Sequence, residues 1–189
     1  MAEWADDPPG NPPDNPPDNP LGTDGFEFVE YAAPDPGMLA ALFERLGFVA
    51  TARHRSKDVT LYRQGGVNFI VNAEPGSFAQ SFARAHGPSV CAMAFRVRDA
   101  RAAHQRLVGL GATPYRGPIG PGELAIPAIE GIGGSLIYLV DRAGVDRAGA
   151  ETIYDIDFVP LEGAPDGAGV GLTEIDHLTH NVRRGAMDA

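Results

Sequence analysis

FEFVEYAAPDPGMLAALFERLGF (26–48) holds a strand, a cap and a helix in one run, and the fold follows from how that run is read. In FEFVEYAA (26–33), Phe26 and Phe28 stand against Glu27 and Glu30, the alternation of a half-buried strand. PDPG (34–37) starts a helix: the Asp35 side chain can cap free amides, and Pro36 suits a first turn. Met38, Leu39, Leu42, Phe43 and Leu46 then share one helical face, and Gly47 ends it. Three short strands are expected next, VATARHR (49–55), VTLYRQ (59–64) and VNFIVN (67–72), the last two joined by a tight turn at Gly65-Gly66. FAQSFARAH (78–86) reads as a connecting helix.

The same order then returns. CAMAFRVRD (91–99) reads as a strand, ARAAHQRLVGLGA (100–112) as a helix ending at Gly111, with strands near TPYR (113–116), ELAIPAI (123–129) and SLIYLVD (135–141). At a shift of 64 residues Asp35 falls on Asp99, and Leu46-Gly47 on Leu110-Gly111. Independent misreadings would not fall into register, so the repeat outweighs any single element. The chain is therefore α+β, built from paired βαβββ modules at about 25–88 and 89–163. TIYDIDFVPL (152–161) reads as a last strand across the first module, PDGAGVG (165–171) as a linker, and 172–182 as the opening strand of a third copy. Laying Val182 on Ala33 and Val97 puts His177 on Phe28 and Ala92. The first two copies thus lack a metal-ligand side chain where the third has histidine. Residues 25–163 are expected to form a metal-free domain, 164–171 a linker, and 172–189 the first strand of a truncated catalytic domain.

Composition narrows the remaining classes. The net charge is −10, and residues 1–24 carry six acids and no Lys or Arg. The rest is only mildly acidic, which gives no footprint for nucleic acid. Seven of the 17 prolines fall in 8–20, a near-perfect PPGN-PPDN-PPDN repeat, so 1–24 is expected to be a disordered Pro-rich acidic tail. A single cysteine, Cys91, rules out an internal disulfide and suits a reducing cytoplasm. No signal-peptide pattern and no apolar run of membrane-spanning length is present.

The chain resembles the bacterial 4-hydroxyphenylpyruvate dioxygenases, members of the vicinal-oxygen-chelate superfamily. The resemblance rests on GFEFVEYAAPDPG (25–37), HRSKDVTLYRQGGVNFIVNAEP (54–75), HGPSVCAMAFRV (86–97), LAIPAIEGIGGSLIYLVDR (124–142), IYDIDFV (153–159) and GLTEIDHLTHNVRRGAM (171–187). It implies the glyoxalase/dihydroxybiphenyl dioxygenase-like fold. It also implies Fe(II), held by two His and one Glu, acting on 4-hydroxyphenylpyruvate, an aromatic 2-oxo acid, and O2 to give homogentisate and CO2 in tyrosine breakdown. By motif match His177 is the first of the three ligands. No catalytic residue is expected within these residues, and the other two ligands belong to parts of the family pattern that follow. A homo-oligomer or a complementing C-terminal half are the partners this suggests. A stand-alone, non-catalytic module that binds a small ligand or a partner is the competing reading. A sister reaction giving hydroxymandelate also stays open.

The other polar residues have ordinary readings. His180 lies three residues beyond His177 and would face away on a strand. His54, His86 and His104 fall at a strand end, a helix end and on a helix. Asp155 and Asp157 would share one face of a strand, solvated rather than paired for catalysis. Arg53, Arg55 and Lys57 make a small basic hairpin surface. The Gly-rich 117–122 and 131–134 lack the Lys-Ser/Thr of a phosphate loop and read as turns. Cys91, on a buried strand, is a small hydrophobe. Residues 165–189, with an orphan strand edge, are expected to be mobile or to dock on another chain.

Overall fold

The computed structural model of the chain describes residues 18–141, 152–165, 167–182 and 184–185. Most of the Pro-rich tail with Trp4, the 142–150 loop and the last four residues lie outside the described residues. Thirteen elements follow in order: β1 (Phe26–Ala32), α1 (Pro36–Arg45), β2 (Val49–His54), β3 (Val59–Gln64), β4 (Val67–Asn72), α2 (Phe78–His86), β5 (Ser89–Arg96), α3 (Ala100–Gly109), β6 (Pro114–Tyr115), β7 (Ala128–Glu130), β8 (Leu136–Val140), α4 (Ile153–Asp157) and β9 (Phe158–Pro160). A 3-10 turn at Ile132–Gly134 sits between β7 and β8.

The strands make one sheet in the order β6-β7-β8-β5-β1-β4-β3-β2-β9. Each module contributes one parallel pair, β1 with β4 and β5 with β8. The modules join through the antiparallel β1–β5 ladder, from Phe26 opposite Phe95 to Ala32 opposite Ser89. The repeated helix starts are built alike: Asp35 Oδ1 accepts from Gly37 N, and Asp99 Oδ1 from Ala102 N. A side-chain oxygen there satisfies a donor that the first helical turn leaves free. On one face of the first module, α1 packs Leu39 and Phe43 against Phe48, Tyr62, Val67 and Val71. Phe43 is the hub, with its ring 5.0 to 6.0 Å from those of Tyr31, Phe48, Tyr62 and Phe69. On the other face Phe28, Leu61, Ile70, Ala94 and Val140 join Tyr154 and Phe158. The sheet is thus two-sided, and the face without α1 belongs to both modules.

Three expected strands come out differently. Residues 153–157 are helical, and only Phe158–Pro160 is strand, paired antiparallel with β2. Asp155 Oδ2 accepts from both Thr152 N and Thr152 Oγ1, a local closure that favours a helical turn. Within 123–129 only Ala128 begins a strand. Pro127 cannot donate to a ladder, and Leu124 N is taken by Asp157 Oδ1 at 3.0 Å. The expected strand at 172–182 does not form. A strand exists through its ladder partners, and the described residues offer this segment none.

Candidate functional site

His177 is open to solvent, its side chain 76% exposed, with Nδ1 2.6 Å from Asp176 Oδ2. His180 is exposed as well. Among the described residues, no group of three or more His, Cys, Asp or Glu is placed to hold a metal ion. The described residues therefore do not by themselves fit an iron centre.

What the structure does show is how the chain leading to His177 is held. Gln64, at the end of β3, is 0% exposed. Its Nε2 donates to Leu46 O at 3.0 Å, while its Oε1 accepts from Val170 N at 2.7 Å and Leu172 N at 3.3 Å. Gly65 N donates to Gly167 O at 2.9 Å, and Gly66 N to Thr173 O at 2.8 Å. A Cβ on Gly66 would stand 2.5 Å from Thr173 O, and one on Gly169 would run into the Gln64 side chain. Residues 167–173 are thus a strap laid over the β3–β4 turn of their own chain, where a free or intermolecular edge strand was expected. The glycine pair read from sequence as a hairpin turn also leaves room for this strap.

The second feature is a cavity of about 740 Å³ on the face shared by the modules. Phe28 and Glu30 of β1, Asn72 of β4 and Tyr138 of β8 line its interior. Phe28 stands where the repeat alignment has His177 in the third copy, so an apolar ring fills the ligand position. Lys57, read as part of a solvated basic patch, instead meets Glu123 Oε2 at 2.7 Å across the cavity. Glu123, 7% exposed at the side chain, also accepts from Ser56 Oγ and from Gly120 N. Burial works against the Glu123 charge, but Lys57, Ser56 and the Gly120 amide outweigh it and hold the carboxyl at about 2. This pins loop 117–127 over the cavity, a role that Gly-rich "turns" did not convey.

Asp157 and Asp155 do not share a face, since α4 buries Asp157 and leaves Asp155 exposed. Burial raises the Asp157 pKa, opposed by the Leu124 amide and by His54. Burial lowers that of His54, whose ring stands edge-on to Phe158 at 5.3 Å. His86 ends α2, and His104 Nε2 lies 3.2 Å from Ala128 O. Cys91 is fully buried with its thiol 3.5 Å from Glu30 O, and burial pushes its pKa upward. Sequence reasoning missed Glu30, Asn72, Lys57 and Glu123 as a set, because they converge on the cavity from sequence-distant strands and loops, and it missed Gln64, which holds the strap instead. The available signal was the two-residue period of β1, which puts Glu30 on the face of Phe28 rather than with Glu27, where the sequence reading had set it.

Two βαβββ modules sharing one sheet face define a domain of the vicinal-oxygen-chelate type. Within that type the chain belongs to the family described as hydroxyphenylpyruvate dioxygenase, HPPD, N-terminal, which matches residues 17–159. It is 56% identical over 174 residues to hemolysin VllY of Vibrio vulnificus, covering 89% of this chain and 47% of that protein. It is 56% identical over 168 residues to the 4-hydroxyphenylpyruvate dioxygenase of Pseudomonas sp. strain P.J. 874, covering 88% of this chain and 46% of that enzyme. Among solved structures it resembles a xylose isomerase-like TIM barrel/4-hydroxyphenylpyruvate dioxygenase fusion protein. That likeness has a TM-score of 0.71 at 44% identity, over 82% of this chain and 24% of that one. The chain spans about half the length of these two curated relatives.

Proposed function

We propose that these residues are the N-terminal portion of an iron-dependent 4-hydroxyphenylpyruvate dioxygenase. The whole enzyme would convert 4-hydroxyphenylpyruvate and O2 to homogentisate and CO2. The single observation that carries this is the 56% identity to the Pseudomonas enzyme over 88% of the chain. The described domain has the part of a scaffold, since its β1 presents Phe28 where an iron ligand would stand. His177 would be the first of three protein ligands, with a second His and a Glu supplied from beyond the described residues. Two His and one carboxylate with open positions are what non-haem Fe(II) oxygenases use to bind a keto acid beside O2. When bound, the iron would supply the oxygen chemistry. What this chain's residues do is hold the route to His177 through the Gln64 strap. Among the described residues no helix is long and apolar enough to cross a membrane, and one buried cysteine suits a reducing cytoplasm. A complementing C-terminal half would complete the site, and a homo-oligomer is the other partner expected.

The test has two arms. The 189-residue chain alone, given Fe(II), ascorbate and 4-hydroxyphenylpyruvate, should consume no O2 and retain no stoichiometric iron. The same chain joined to the C-terminal half of the Pseudomonas enzyme should do both, and His177→Ala should remove iron from the joined protein with its circular dichroism unchanged. Tight iron in the isolated chain, or in the His177→Ala protein, would overturn the ligand assignment.

A further inference from the structure

The cavity on the shared sheet face plays no part in the iron reading, yet its interior has a definite chemistry. Glu30 is 8% exposed and lines it from the middle of β1. Its Oε1 accepts from Asn72 Nδ2 at 2.7 Å, and its other carboxyl oxygen has no hydrogen-bond partner among the described residues. Burial raises the Glu30 pKa, against the lowering effects of Asn72 and Lys57, and so favours the protonated acid. A protonated carboxyl is both a donor and an acceptor.

Beside this pair stand apolar side chains: the Phe28 and Tyr138 rings lie 5.8 Å apart, with Val59, Ile70 and Ile126, while Arg101, Arg116, Glu123 and Asp157 line other parts of the cavity. The apolar walls suit a flat hydrophobic body, and the volume is that of an ordinary small-molecule site. The polar floor suits one small group. A ligand cation would meet Lys57, already close enough to act on Glu30, and a ligand anion would give up its hydration in a poorly solvated place where Lys57 is already paired with Glu123. A hydroxyl meets neither obstacle, and it can give and take one hydrogen bond.

We propose that the cavity binds a small uncharged phenol or aromatic alcohol, its ring against Phe28 and Tyr138 and its hydroxyl on the Glu30–Asn72 pair. The site is distinct from His177, and neither its presence nor its absence bears on the iron chemistry. The experiment is an NMR titration of the chain with p-cresol and, separately, with toluene, which keeps the ring and lacks the hydroxyl. p-Cresol should give saturable shifts centred on β1, β4 and β8, and toluene should bind about ten-fold more weakly, the worth of one hydrogen bond. Glu30→Gln keeps a donor and an acceptor and should hold that preference, whereas Glu30→Leu should abolish it. The proposal is overturned if p-cresol does not saturate, if its shifts centre elsewhere, or if toluene binds equally well. It is overturned too if Glu30→Leu keeps the preference. Should Glu30→Leu fail to fold, an unchanged preference on going to Asn72→Leu overturns it instead.

Discussion

Glu30 shows how one residue sets a stability profile. Its folded pKa is raised from the ordinary carboxylate value, first by burial. The folded state therefore binds this proton more tightly than the unfolded chain does. By linkage, the contribution of Glu30 to stability is full below about pH 4.5 and is lost as pH rises toward its folded pKa. Glu30→Gln keeps the shape and leaves an oxygen for Asn72 Nδ2 but does not titrate. The variant should melt above the wild type at pH 8, with the gap closing by pH 4. Thermal melts at the two pH values check this, and equal melting temperatures at pH 8 would show that Glu30 ionises freely in the fold. The residue was visible in the sequence only as one of two acids on an alternating strand. Its burial depends on which face the second module covers, and no local pattern encodes that.

At the scale of elements, the repeat was the most legible feature. Asp35 and Asp99 cap corresponding helices as their spacing implied, and α2 spans Phe78–His86 as its pattern gave. The misreadings have local causes. Hydrophobic spacing in TIYDIDFVPL suits a strand, but the Thr152–Asp155 closure turns its first half into a helix. Pro127 and the Leu124–Asp157 bond keep most of 123–129 out of the sheet. The strap over β3–β4 was illegible because its hydrogen bonds come from the Gln64 side chain and the Gly65 and Gly66 amides, far away in sequence. Gln64→Leu would leave Leu46 O and the Val170 amide without their partner, at a cost of about 1–3 kcal/mol. The Val170 and Leu172 amides should then exchange much faster, while β3 and β4 amides keep their protection. Hydrogen exchange followed by NMR decides this, and unaltered protection at Val170 would mean that the strap holds without Gln64. Gly66→Ala, with its Cβ pressed on Thr173 O, should loosen the same amides from the other side.

For the whole molecule, the decisive join is β1 against β5. These strands are the inner members of both parallel pairs, and the tilted Phe26 and Phe95 rings meet at 4.9 Å across the seam. The shared face holds Phe28 and Ile70 of one module with Ala94 and Val140 of the other in one cluster. Neither module can keep that face dry alone. The two should unfold together in one urea transition, as small single domains usually do. NMR intensities from α1 and α3 should fall at the same midpoint, and separate midpoints would show independent modules. Phe43→Ala, which empties the ring cluster under α1, should lower that common midpoint by about 3–5 kcal/mol of stability.

The strap also has a metric meaning. Thr173 is tied to Gly66, and His177 follows four residues later, so a fully stretched leash reaches about 14 Å. The backbone of His177 is thereby confined to a sphere of that radius centred near the β3–β4 turn, whatever its side chain meets.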